Sequence, residues 1–123
     1  MRVKLTFYGV VLSLCFVPIL SAQDAVKVDP KHYTIVSEND QVRILKVHYG
    51  AHEKSVMHSH PDAVVGFHPH ASAQFPSPDG KTEPSAIKAG GAQDTPATTH
   101  LPENTGDTGM DAILVELKAK PAK

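Results

Sequence analysis

Cysteine is nearly absent from this chain. Its single Cys15 lies in an N-terminal apolar stretch, so no disulfide can brace the rest, which must rely on core packing, a metal or a partner subunit. A large excess of charge of one sign is missing as well, with 12 Lys and Arg against 13 Asp and Glu. Without a basic face there is no electrostatic footprint for nucleic acid or an anionic membrane. No Gly-rich phosphate loop, dinucleotide fingerprint or Gly-x-Ser-x-Gly elbow is present. Ser55, Ser59 and Thr99 stand beside histidines, but without such an elbow they do not argue for a nucleophilic hydrolase. Beyond residue 22, no segment keeps a 3.6-residue apolar period over three turns, which argues against a helical bundle.

What is present begins with a targeting segment. Arg2 and Lys4 give a positive start, residues 5–20 are almost wholly apolar, and Ser21-Ala22 supplies small residues before Gln23-Asp24. This is the pattern of a secretory signal peptide cleaved after Ala22. An uncleaved anchor would need about 20 apolar residues, and Pro18 interrupts the run near its end. Leu14 before Cys15 does not suit a lipoprotein signal. Cleavage removes two basic residues and no acids, so 12 − 2 = 10 cations face 13 anions, net −3. The mature protein is expected in the periplasm or secreted, free of the membrane. The expected layout is a signal peptide over 1–22, a linker over 23–31, one domain over 32–118 and a tail over 119–123.

The domain reads as all-β. His32-Tyr33-Thr34-Ile35-Val36 is β-branched and aromatic and stops at the polar turn Ser37-Glu38-Asn39-Asp40. Residues 42–49 alternate apolar and polar, with a local double at Leu45, and end at Gly50. Residues 63–67 and 112–117 are further apolar strands. Pro69, between His68 and His70, demotes that run to an edge or loop, leaving both histidines on the surface. Phe75-Pro76-Ser77-Pro78-Asp79-Gly80 is turn chemistry. Residues 71–84 are poor in large apolar side chains, so the sheet is expected to thin there, with one short strand over 81–88. The whole suggests a small antiparallel barrel or sandwich.

Of eight histidines, two stand out. Residues two apart on a strand share a face, so His58 and His60 aim their imidazoles at one place. His100 follows after enough turn signals for the chain to return as a neighbouring strand. Three neutral imidazoles converging on one point suit a divalent transition metal. The alternative is a chance His-x-His in a histidine-rich chain. Asp62 and Glu103 are nearby carboxylates, either supporting the imidazoles or simply solvated. Asn104 reads as a turn residue that satisfies backbone groups.

Gly50 with His58-x-His60, and Gly90-x5-Pro96 with His100-x3-Asn104, resemble the two motifs of the cupin superfamily. Asp29-Pro30-Lys31-His32-Tyr33 and Pro78-Asp79-Gly80-Lys81 resemble small exported single-domain cupins. The resemblance spans about Asp29 to Lys118. It implies a cupin-type double-stranded β-helix, a metal held by His58, His60 and His100, and a homodimer. The metal could be zinc, copper, iron, manganese or nickel. The glutamate that such a motif carries after its second histidine is absent, with Val64 and Val65 in its two places, and Thr98 stands where the second motif has glycine. If the strand runs on through Pro61, Val64 shares parity with both histidines and presents methyl groups where relatives present a carboxylate. Losing that anionic ligand favours zinc or copper. Three functions fit: a metal-dependent protein acting on a small molecule, a metal-free binding module, or a metal buffer that adds His48, His52, His68 and His70 to the three.

Overall fold

The structure, a computed structural model, describes residues 23–68 and 71–119. The candidate signal peptide, His70 and most of the expected tail lie outside them. One short helix, α1 (Ala25–Val28), precedes ten strands: β1 (Tyr33–Glu38), β2 (Val42–Tyr49), β3 (His58–His60), β4 (Ala63–His68), β5 (Ala71–Pro76), β6 (Thr82–Ile87), β7 (Ala92–Thr95), β8 (Thr98–His100), β9 (Glu103–Asn104) and β10 (Met110–Leu117). They form a five-stranded sheet in the order β1-β2-β10-β4-β7, a pair β3-β8, and a three-stranded sheet β6-β5-β9. Every pairing between these strands is antiparallel, so the expected all-β architecture holds.

Alternation decides what each strand buries. In β2, Leu45, Val47 and Tyr49 are buried, the inward set of a period-2 strand. In β10, Met110, Ala112, Leu114 and Glu116 are buried, so a carboxylate ends an otherwise apolar inward row. The β1–β2 turn is held by Asn39, whose side-chain oxygen accepts the Gln41 and Val42 N–H groups at 2.8 and 2.9 Å. A bulge between Ile35 and Ser37 leaves Val36 as the extra, exposed residue.

Three local expectations need correction. Residues 23–31 are not merely a linker. Asp24 caps α1 by accepting the Val26 N–H at 2.9 Å, Ala25 is fully buried, and Ser59 N–H donates to the Gln23 carbonyl at 2.7 Å. The segment therefore packs onto β3. Residues 71–84 do not thin the sheet: β5 pairs with β6 over six positions. The turn is closed by Ser77 N–H donating to the Lys81 carbonyl at 2.8 Å, and Gly80 takes the φ of +79° it needs. Pro84 is tolerated because β6 is an edge strand.

The third correction concerns parity. His58 and His60 are buried, as is Ala63, so the inward phase changes across Pro61-Asp62. The chain leaves the β3–β8 pair there and enters the large sheet. Asp62 fixes the corner: its carbonyl accepts Leu117 N–H at 2.8 Å and its carboxylate accepts Ala97 N–H at 2.8 Å. A one-residue slip turns every later side chain over. Val65 accordingly lines the interior cavity, while Val64 faces out at 36% exposure.

Candidate metal centre

β3 and β8 pair in a register that sets His58 directly opposite His100 and His60 opposite Thr98. Facing positions in an antiparallel pair point to the same side, so the ladder carries His100 to the place where His58 and His60 already aim. One ligand nitrogen from each ring lies within 4.8 Å of those of the other two. The rings stand nearly perpendicular to one another, at 83° for His58–His60, 87° for His58–His100 and 82° for His60–His100. They meet like three faces at the corner of a box. The sequence-derived trio is thus brought together.

Each ring is held from behind. His58 Nδ1 is 2.8 Å from the Val56 carbonyl oxygen; a carbonyl only accepts, so the ring proton sits on Nδ1 and Nε2 keeps its lone pair. Ser55 Oγ lies 3.2 Å from the same nitrogen and donates its hydroxyl to Asp29. His60 Nδ1 is 2.7 Å from Glu116 Oε1. Glu116 in turn accepts from Arg43 Nε at 2.7 Å, and Arg43 donates to Asp24 at 2.7 Å. His100 stacks on Phe75, with centroids 5.7 Å apart.

Burial, reinforced by the neighbouring His60, pushes the His58 imidazole down to about 4. Burial, with His58 and His60 beside it, pushes His100 down to about 3. Both rings are therefore neutral around pH 7. Their Nε2 atoms are buried with no hydrogen-bond partner, a costly state for polar groups. A divalent ion would relieve it: histidine binds transition metals through a neutral nitrogen whose opposite ring N–H is fixed by a carboxylate or carbonyl. The donor set fits such an ion, and His58, His60 and His100 would hold it.

Several contributors were not evident in the sequence. Neither Asp62, which caps the corner, nor Glu103, which pairs with Gln74 in β5, is the carboxylate that braces the trio. That role falls to Glu116, 56 residues from His60. Asp29 binds His32 Nδ1 through both oxygens at 2.7 and 2.8 Å. The other His32 nitrogen lies 3.1 Å from Glu53, and the His32 ring stacks on Tyr49. Lys31, with help from the Gly50 N–H, holds the Glu53 carboxyl down to about 2. A buried polar layer thus runs beneath His58. Asn104 behaves as expected of a turn residue, donating to the Gly50 and Thr108 carbonyls at 2.9 and 2.8 Å.

His60 and His100 line a cavity of about 490 Å³, within the range of small-molecule sites. Its walls include Val65, Phe67, Phe75 and Leu114, together with the hydroxyl-bearing Tyr33 and Thr98. Tyr33 packs edge-on against His58 at 4.8 Å, and its hydroxyl accepts the Tyr49 O–H at 2.8 Å.

No family model matches the sequence, and no curated protein matches it. Solved structures do. A cupin domain from Bordetella pertussis Tohama I shares 22% identity over 71% of this chain and 92% of its own, with a TM-score of 0.66. An RmlC-like cupin family protein with a double-stranded β-helix fold, from Methanocaldococcus jannaschii, shares 13% identity over 69% of this chain and 77% of its own, with a TM-score of 0.56. The DMSP lyase DddQ from Ruegeria pomeroyi DSS-3 shares 14% identity over 77% of this chain and 51% of its own, with a TM-score of 0.55. With ten antiparallel strands placing the two histidine segments side by side, this chain has the fold of the cupin superfamily.

Proposed function

We propose that the protein binds one divalent transition metal through His58, His60 and His100 and presents it to a small molecule in the adjoining cavity. The observation that carries this is the pair of buried, partnerless Nε2 atoms on neutral rings. Their neutrality leaves lone pairs for coordination, and three protein ligands leave positions open, as in catalytic metal sites. When bound, the ion would supply Lewis acidity to a ligand donor atom. The chain's own part is to fix the three rings, through Val56, Glu116 and Phe75, and to wall the cavity. Three nitrogens with no carboxylate among them favour zinc or copper over manganese. An enzyme, the lyase above, is among the similar structures, so an enzymatic role is compatible with the fold, which does not select a reaction.

Metal analysis of protein purified from its native compartment tests the reading. One tightly bound ion per chain supports it, none supports a metal-free binding module, and several weak ions support a buffer. The buffer reading is disfavoured by His48 and His52, which are engaged by Asp111 and Asp107 at 2.8 and 2.7 Å. Export remains part of the proposal on the strength of Arg2, Lys4 and the apolar run to Leu20. Mass spectrometry of the mature protein should find a start at Gln23 or within a few residues. The proposed homodimer has an apolar face available, with Val64, Ile113 and Leu117 exposed; sedimentation equilibrium measures it.

A further inference from the structure

We propose that the cavity selects a small molecule with a single ionisable head, which meets the metal, and an uncharged, largely apolar body. The inference rests on the metal reading above and concerns what else the cavity will accept. Among the described residues lining it there is no Lys and no Arg. Among the described residues the one guanidinium, Arg43, is committed to Glu116 and Asp24. Apart from His60 and His100, the polar side chains of the wall are hydroxyls and an amide, with Thr98 and Gln93 as examples. These orient a ligand but do not neutralise an anion.

The metal end has the opposite need. Three neutral imidazoles leave a divalent ion with its full double charge at the buried end of the cavity, where electrostatic interactions are stronger than in bulk water. A ligand donor that loses its proton to solvent on binding, such as a phenol or an enol, supplies the missing negative charge. A second anionic group further along the ligand would be desolvated against Val65, Phe67 and Leu114 with no cation to pair it, which is heavily penalised. Phosphorylated sugars and dicarboxylates are therefore poor occupants. Phe75, stacked on His100, continues the wall from the metal position as an aromatic surface suited to a flat ring. The volume of about 490 Å³ has room for a bicyclic molecule, not an oligosaccharide or peptide.

The experiment uses the full mature chain loaded with cobalt(II), whose visible bands report coordination directly. Two probes share one metal-binding head: 4-nitrocatechol, with a neutral substituent, and catechol-3,5-disulfonate, with two fixed negative charges. Each affinity is divided by that of the same probe for free cobalt in the same buffer. The expected result is at least a tenfold preference for 4-nitrocatechol, narrowed by Gln93→Lys, which adds a cation at an exposed lining position. Equal normalised affinities, or no binding of either probe to the cobalt-loaded protein, would overturn the inference and leave the metal reading standing. Failure of the protein to develop cobalt bands at all would remove the metal reading, and this inference with it.

Discussion

β10 carries two carboxylates that each bind a histidine, one on either side of the same sheet. Glu116 points inward to His60 at 2.7 Å, with side chains 3% and 4% exposed; Asp111 points outward to His48 at 2.8 Å, with side chains 44% and 56% exposed. The distances are nearly identical, and the physics is not. The outer pair is screened by water and salt, and such pairs contribute about 0–1 kcal/mol. The inner pair is desolvated, shares its carboxylate with Arg43 and fixes which ring nitrogen of His60 faces the other two histidines. Alike in geometry, one pair decorates the surface and the other sets up a site.

The sharpest way to break that comparison is to delete histidines. His58→Ala with His60→Ala should abolish metal binding while far-UV circular dichroism stays β-rich, whereas His48→Ala with His52→Ala should leave one ion per chain. Equal binding by parent and inner double variant would place the site elsewhere and leave the resemblance to speak for fold alone. Removing the carboxylates comes next. Glu116→Ala removes the buried acceptor of His60 and leaves Arg43 with Asp24 as its one carboxylate partner. Because that partner remains, the loss of stability should stay below the roughly 3–5 kcal/mol of a buried pair broken outright. Metal affinity should also fall roughly 10- to 100-fold as His60 loses its brace. Urea denaturation and isothermal titration measure the two losses separately.

Acidity distinguishes the regions without mutation. The buried His58 and His100 bind protons less readily than in the unfolded chain, at about 4 and about 3 against 6.5. Between those limits the unfolded state holds more protons, so stability rises with pH. The contribution is fully present above pH 6.5 and is lost as pH falls towards 4 and then 3. Urea midpoints of metal-free protein should follow this slope, and a flat profile from pH 6.5 to 4 would contradict the burial of these rings. A smaller effect concerns the vanished glutamate. Val65→Glu places a carboxylate on the cavity wall and should tighten manganese binding roughly tenfold, about 1.4 kcal/mol, with less effect on zinc. Val64→Glu, on the outer face, should change neither. The smallest effect is Asp111→Ala, expected to shift stability by no more than about 1 kcal/mol.

The strands that sequence disclosed announced themselves in two ways. β2 alternates because water and core alternate along it, and the His-x-His spacing was legible for the same reason; residues 63–67 and 112–117 were legible as short apolar runs. What stayed hidden depends on contacts between distant positions. Glu116 reads as an ordinary polar residue at the end of a strand, because only the β10 register reveals that it turns inward beside His60. Val64 was assigned to the cavity by counting along a straight strand, and the corner at Pro61-Asp62 reversed the count. The turn after Phe75 and the strand over 81–88 were expected, but β5 was missed because its small residues carry too little apolar signal to reveal a ladder. Asp29 drew notice only through a family-like segment and His32 also as the start of a strand-like run, and their partnership with Glu53 and Ser55 requires the folded chain.

The β3–β8 pair has only three facing positions, joined in part by Ser59 and Thr99 hydroxyls 2.6 Å apart and forty residues distant in sequence. So short a ladder has little hold against the chain entropy of the loop it closes. A metal shared by His58 and His100 would act there as a reversible cross-link, in a domain with no cysteine to make a permanent one. Its strength would be set by mass action and grow with the free metal around the protein. The melting temperature of this barrel would then serve as a gauge of the metal content of the compartment in which it resides.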